Sequence, residues 1–451
     1  MSTTITETQA KSAIANLPGN YREVFFENSK GFSARLLNGK VEAPVSRSHE
    51  GFSILSRNGA DVRFASFPRL GAFEADVAEF CRSNAFPAPD FSIVPNPNGL
   101  KSARLEPGDP LVDAEPIFAA FGEIPAIAAK AGFLTSYEVV SNFSYRSYAV
   151  ATSKGAFGGD LQKYHSFYVI LAGKRGDAHE EVMGKITGTD ILGKLGREEL
   201  LKTFSDAVSD LDRALSGEPA PSGEMDVVIG NEAGGTIIHE AVGHGLEADL
   251  QNSSVYRGKL GQKVASDEVT VIDDPTIPGL RGFYALDHEG NPAKKTVLIE
   301  KGVLVSYMHQ NRTAELFGTE STGHARRESY ACETLVRMGS TYLAPGSHKK
   351  EDIVASVKDG LYVSRMGGGQ VNTLTGDFVL KVSAGLRHRD GKICEAVRGA
   401  NISGNGPKML SEIRMVADDL HFFDGGTCGK GQQMPVSDAT PTVLVRLKVT
   451  G

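Results

Sequence analysis

The sequence predicts an α+β fold in two parts. A mixed helix-and-strand N-terminal half precedes a strand-rich, mostly antiparallel C-terminal half that carries one helix of the form H-E-x-x-x-H. Three observations predict this. The apolar period switches repeatedly between helix and strand over the first 215 residues. A Ser-Gly-Glu-Pro-Ala-Pro-Ser-Gly break covers Ser216–Gly223. Beyond it, short β-like runs alternate with Gly-rich turns, the pattern of an antiparallel sandwich or barrel. The expected division is 1–215, a linker at 216–223, and 224–451.

The elements follow in order. Ile5–Leu17 has apolar residues three and four apart and reads as a helix. Tyr21–Asn28, Gly31–Leu37, Glu50–Arg57 and Ala60–Phe67 read as short strands, punctuated by Asn38-Gly39 and Asn58-Gly59, which signal hairpins. Ala72–Asn84 reads as a helix, and Pro87–Pro110 as a proline-rich loop. Leu111–Gly132 is helical, interrupted by Pro116 and Pro125. Glu138–Thr152 and Lys163–Ala172 read as strands, and Asp190–Leu215 as an amphipathic helix. In the second half, Met225–Ile229 is a strand and Thr236–Leu250 a helix. Val269–Ile272, Lys295–Glu300, Val303–Met308, Gly360–Met366, Asp377–Arg387 and Val443–Val449 are strands.

The chain has 451 residues and a formal charge of −7, with 48 basic and 55 acidic side chains. That balance gives no net drive toward nucleic acid or an anionic membrane. No run reaches the about 20 apolar residues of a spanning helix. Met1–Asn16 lacks a basic stretch followed by an apolar core, so no secretory signal is expected. Cys81, Cys332, Cys394 and Cys428 lie far apart, which is no disulfide framework and suits a reducing cytoplasm.

The chemistry concentrates in Thr236-Ile-Ile-His239-Glu240-Ala-Val-Gly243-His244. The common zinc-protease motif, H-E-x-x-H, is one residue shorter. On a regular helix, positions i and i+4 lie roughly 40° apart, but i and i+5 roughly 140°. Both imidazoles reach one metal only if the helix widens locally into a π turn, which brings them to roughly 50°. Gly243 lowers the cost of such a distortion, and Thr236 is a plausible N-cap. Ile237, Ile238, Ala241 and Val242 imply burial. Two buried histidines beside a glutamate are costly without partners or a metal. His239 and His244 are therefore the expected ligands of Zn²⁺, and Glu240 the general base. A catalytic zinc needs a third protein ligand. Glu247, Asp249, His288, His309, His324 and Cys428 are the candidates. Lys430, beside Cys428, would favour a thiolate.

These residues give the chain a specific resemblance. It resembles the TldD/PmbA family of metalloproteases, in the TldD branch that keeps H-E-x-x-x-H. The likeness also rests on Leu37–Glu42, Glu50-Gly51-Phe52, Gly367–Asn372, Gly376-Asp377-Phe378, Asn401–Asn405 and Thr427–Lys430. The resemblance implies Zn²⁺ held by His239, His244 and Cys428, with Glu240 as base. It implies an α/β N-terminal domain and a mostly antiparallel β C-terminal domain. It further implies an enclosed dimer cavity, either a homodimer or a heterodimer with a metal-free PmbA/TldE-like paralogue. The substrates it implies are unfolded peptides, including precursor peptides. The rival expectation is a non-catalytic regulator with a structural zinc. Glu240 opposes it, because a closed site takes four protein ligands and has no use for an adjacent carboxylate.

Weaker features have bland readings beside functional ones. Gly367–Asn372 reads as a tight turn rather than an anion cradle. Asn401 and Asn405 serve either substrate backbone or turns. Arg326 and Arg327 read as solvated charges rather than carboxylate binders. Tyr145, Tyr148, Tyr164 and Tyr168 read as strand packing rather than a stacking surface.

Overall fold

The computed structural model describes residues 3–84, 101–110, 114–189, 196–423 and 425–451. Most of the expected Pro87–Pro110 loop and the starts of Leu111–Gly132 and Asp190–Leu215 fall outside them.

The first half builds a seven-stranded antiparallel sheet. Its order is Asp61–Phe67, Val45–Asn58, Tyr21–Leu37, Leu134–Thr152, Phe157–Arg175, Ala178–Thr189, with Lys40–Val41 added to Tyr21–Leu37. Tyr21–Asn28 and Gly31–Leu37 are thus one continuous strand, because both neighbours pair through residues 29 and 30 without a register shift. Asn38 (φ 47°) and Gly39 (φ 84°) make the expected tight turn. The period of two sorts the side chains. Val24, Phe26, Phe32, Ala34 and Leu36 are buried on the same face, where helices Glu7–Asn16, Phe73–Ser83, Glu115–Ala128 and Arg197–Ser216 supply the packing partners. Glu23, Phe25 and Glu27 point the other way, where they meet Arg327, His288 and Tyr330 of the second half.

The second half contains a sheet that closes on itself. Gly223–Ile229, Asp359–Val371, Asp377–Arg389, Asn401–Asn405 and Val443–Thr450 pair in a ring. One pairing of the five, Gly223–Ile229 with Asp359–Val371, is parallel. Inside lie Ile237, Ile238, Ala241, Val242 and Leu246, packed in one apolar cluster with Val363, Phe378, Leu380, Ile402 and Val445. The H-E-x-x-x-H segment is therefore the plug of the ring. A six-stranded sheet runs from Val303–Leu304 to the hairpin of Gly425–Gly429 and Gln433–Ala439. The break at Ser216–Gly223 is not free chain throughout, since Glu218–Pro219 pairs in parallel with Lys392–Arg398. No helix among the described residues is long and apolar enough to cross a membrane.

Two readings change, those for Gly367–Asn372 and for Arg326 and Arg327, while Asn405 and Tyr145, Tyr148 and Tyr164 follow their bland alternatives. Gly367–Val371 belongs to a strand with irregular register, and the tight turn is Asn372–Gly376, closed by Gly376 N–H to Asn372 O at 2.7 Å. Asn405 serves that turn, donating to Thr375 O (2.7 Å) and Asp377 (3.0 Å). Arg326 and Arg327 are buried rather than solvated: Arg326 lies over Tyr284 and donates to Met338 O, and Arg327 pairs with Glu23. Tyr145, Tyr148 and Tyr164 are packed in the sheet interior, while Tyr168 lines a cavity.

Candidate metal centre

The metal-site helix is short and irregular for identifiable reasons. Gly234 (φ 79°) turns the chain, and at Gly235 a Cβ would lie 2.1 Å from Ala439 N. The Gly235 N–H donates to Asp438 Oδ1 at 2.8 Å, which fixes the start. Gly235 is the N-cap, and Thr236 already lies inside the helix. Thr236–Ile238 forms one α turn, and His239–Gly243 a π turn in which His244 N–H donates to His239 O. The widening freezes an otherwise unfavourable geometry. Tyr256 Oη donates to Ala241 O at 3.3 Å, serving a carbonyl inside the π turn. Gly243 has ordinary helical φ (−53°), so its value here is space: a Cβ would sit 2.1 Å from Met338 Sδ. The helix does not continue to Leu250. Glu247 turns extended (ψ 116°), and its backbone joins Met308 instead.

The widened turn brings His239 and His244 to one side, with ring centroids 5.0 Å apart. Cys428 reaches them from the distant hairpin. Its Sγ lies 3.1 Å from Nε2 of each imidazole, and the ligand atoms all lie within 4.8 Å of one another. All three side chains are buried. A tetrahedral zinc sets N···S separations at roughly 3.5 Å. The cage therefore needs only a few tenths of an ångström to accept one. The three groups also shift one another's proton affinities. Burial alone would raise the Cys428 thiol, but His239 and then His244 pull it down to about 5. Burial would lower His244, yet Glu247 and Cys428 lift it to about 10. Burial likewise opposes the Cys428 charge at His239, which ends above its ordinary value. A divalent cation bound by this set would take the place of the imidazole protons.

The other candidate ligands have different work. Glu247 is fully buried, and its Oε2 accepts from His244 Nδ1 at 2.9 Å. That bond fixes the tautomer and aims Nε2 at the cage. Asp249 accepts from Lys430 Nζ at 2.8 Å. His288 accepts from Arg327 N–H, His309 contacts Thr313, and His324 sits against Asp273 and Thr322. None of these three joins the cage. Lys430 is spent on Asp249, Glu247 and Val336 O, so the imidazoles rather than Lys430 favour the thiolate. Arg337, which carries no signal in the sequence, donates to Cys428 O at 2.7 Å.

Glu240 lies beside the cage, half-buried, and burial raises its pKa. It lines a cavity of about 1540 Å³ together with His239, His244 and Cys428. Strand Ala178–Thr189 and helix Arg197–Ser216 close the cavity on one side, and Asp359–Val371 on another. The first sheet also holds the Cys428 hairpin, through Lys185 Nζ to Gly425 O (3.0 Å) and Gly425 N–H to Thr187 Oγ1 (2.6 Å).

Residues 222–451 match the family model described as the PmbA/TldA metallopeptidase C-terminal domain. The chain belongs to the PmbA/TldD family. A Metalloprotease TldD homolog from Buchnera aphidicola is 36% identical over 320 residues, 68% of this chain and 66% of that one. A counterpart from Haemophilus influenzae is 43% identical over 235 residues, 51% of this chain and 49% of the relative. The chain thus spans between about half and two thirds of the length of these relatives. In fold it is similar to TldE from Thermococcus kodakarensis, with a TM-score of 0.75 over 99% of both chains and 19% identity. The family is one of metallopeptidases, and a His/His/Cys group able to hold a metal lies within the matched region.

Proposed function

We propose that this PmbA/TldD-family chain is a zinc-dependent peptidase for unfolded or extended peptides, with His239, His244 and Cys428 as ligands and Glu240 as general base. One observation carries the reading. Two imidazoles and a thiol, 184 residues apart at the nearer His–Cys pair, converge beside a half-buried carboxyl in one cavity. Imidazole with thiolate is a donor set that suits zinc. Bound zinc supplies Lewis acidity to the scissile carbonyl and to water. Glu240 takes a proton from water in the cavity and returns it to the leaving amine. Its raised pKa suits both halves of that transfer.

The cavity wall supports the substrate class. Asp359–Val371 pairs with Gly223–Ile229 only as far as Val363. Beyond it, Ser364–Val371 has Asp377–Arg389 on one side and, among the described residues, no strand on the other. That edge lines the cavity with His239 and Glu240. An extended peptide adds to such an edge through its backbone, and Gly367, Gly368 and Gly369 let it come close. A folded protein offers no free strand. Precursor and leader peptides do. The same reading places the domain boundary at 216–223 and closes the cavity with a second copy or a PmbA/TldE-like paralogue.

The test uses zinc-loaded chain and a library of unstructured peptides, with and without a chelator. Cleavage that a chelator abolishes and zinc restores is expected. Metal-loaded protein that cuts nothing, alone or with such a paralogue, would put the binding-protein reading ahead.

A further inference from the structure

We infer that Arg337 is a positioning residue that locks the Cys428 hairpin to the histidine helix, so that one guanidinium sets both sides of the metal cage. The inference rests on the ligand set proposed above.

Arg337 is 1% exposed and sits in the mouth of the hairpin turn. Its Nη2 donates to Cys428 O at 2.7 Å, and its Nη1 to Gln432 O at 2.7 Å. Cys428 and Gln432 stand on opposite sides of that turn, since Cys428 pairs with Met434 and Gly429 with Gln433. The planar fork therefore spans the hairpin and fixes where the thiol points. The third donor, Nε, faces Glu247 Oε1 at 3.7 Å. The other Glu247 oxygen holds His244 Nδ1. The Cys428 backbone is thus hydrogen-bonded to Arg337, Arg337 is ion-paired with Glu247 at 3.7 Å without a hydrogen bond, and Glu247 is hydrogen-bonded to His244. Glu247 is 0% exposed, and beside its bond to His244 it has Lys430 Nζ at 3.2 Å and Arg337 Nε at 3.7 Å to offset its charge. A buried carboxylate stripped of such a partner is costly. A lysine at 337 keeps the charge, but a single ammonium cannot reach two carbonyls and a carboxylate in one plane.

The test uses the full chain with Co²⁺ as a spectroscopic probe and zinc competition as the affinity readout. Wild type should show the near-ultraviolet sulfur-to-cobalt charge-transfer band of thiolate ligation. Arg337→Lys should weaken that band and bind zinc about 10- to 100-fold less tightly, the usual effect of removing a ligand's hydrogen-bond support. Glu247→Gln tests the same contacts from the helix side and should act in the same direction. Arg326→Lys is the control. That arginine is equally buried and donates to Met338 O, but touches no proposed ligand. It should lower the melting temperature and leave band and affinity unchanged. A wild-type band and affinity in Arg337→Lys would overturn the inference. Equal losses in Arg326→Lys would overturn it too, because the effect would then be general loosening. If wild type itself showed no thiolate band, the ligand assignment would fall and Arg337 with it.

Discussion

Glu240 and Cys428 have separable duties, and single substitutions should separate them. Glu240 touches no ligand atom of the cage, so Glu240→Gln should keep the metal. It should lose hydrolysis by about 10²- to 10⁴-fold, the range for a general base. Metal content measured beside peptide cleavage checks this, and near-normal turnover would remove Glu240 from the mechanism. Cys428→Ser keeps the shape but offers a poor ligand, so zinc should be lost on dialysis. Unchanged retention would place the third ligand elsewhere. At this scale the sequence was legible where spacing has chemical meaning: H-E-x-x-x-H named His239, His244 and Glu240 outright. Cys428 stood among six candidates until the family resemblance chose it, because a contact across 184 residues leaves no local pattern. Arg337 had no signal of any kind. Glu247 stood among the candidate ligands, but it holds His244 Nδ1 instead.

Among elements, the π turn decides whether the ligands meet. The i, i+5 spacing required it, and His244 N–H to His239 O supplies it. What the spacing could not show is the support. Gly406 approaches the turn so closely that a Cβ would lie 2.2 Å from Ala241 O, a backbone atom that cannot rotate aside. Gly406→Ala should therefore push on the π turn, destabilising the fold by about 1–3 kcal/mol and loosening zinc. Thermal melts with zinc titration check this; an unaffected variant would mean the helix yields without disturbing the cage. The helix end was misjudged for a related reason. Periodicity carried it to Leu250, whereas the chain leaves helical geometry at Glu247, whose backbone pairs with Met308, a residue remote in sequence.

Across the whole molecule, the two halves meet through buried charge. Arg327 reaches Glu23 and Ser53 and lies over Phe25, while Arg146 joins Glu27 to Arg327 O. Beside them, burial, reinforced by Glu23 and Asp287, holds Glu289 well above the ordinary carboxylate range. The folded chain therefore keeps this proton at pH values where the unfolded chain has lost it. Its stability contribution is full below the unfolded pKa and falls as pH rises through the folded one. Glu289→Gln mimics the protonated form and can still serve Asn311 N–H and Thr334. It should lessen the drop in melting temperature between about pH 6 and about pH 9. A variant whose melting temperature falls as far as wild type's would clear Glu289 of that role. The α+β class and the strand-rich second half were legible, because period and turn residues are local. The closure of the second sheet was not, since Asp377–Lys381 must pair with Asn401–Asn405 as well as Asp359–Val371. Nor was the burial of Arg326 and Arg327, whose partners come from residues remote in sequence.

The most direct measurement is X-ray absorption at the zinc edge of the zinc-loaded wild-type chain. One sulfur at about 2.3 Å and two imidazole nitrogens at about 2.0–2.1 Å are predicted. A first shell of nitrogen and oxygen without sulfur would contradict the Cys428 ligand and the site built on it.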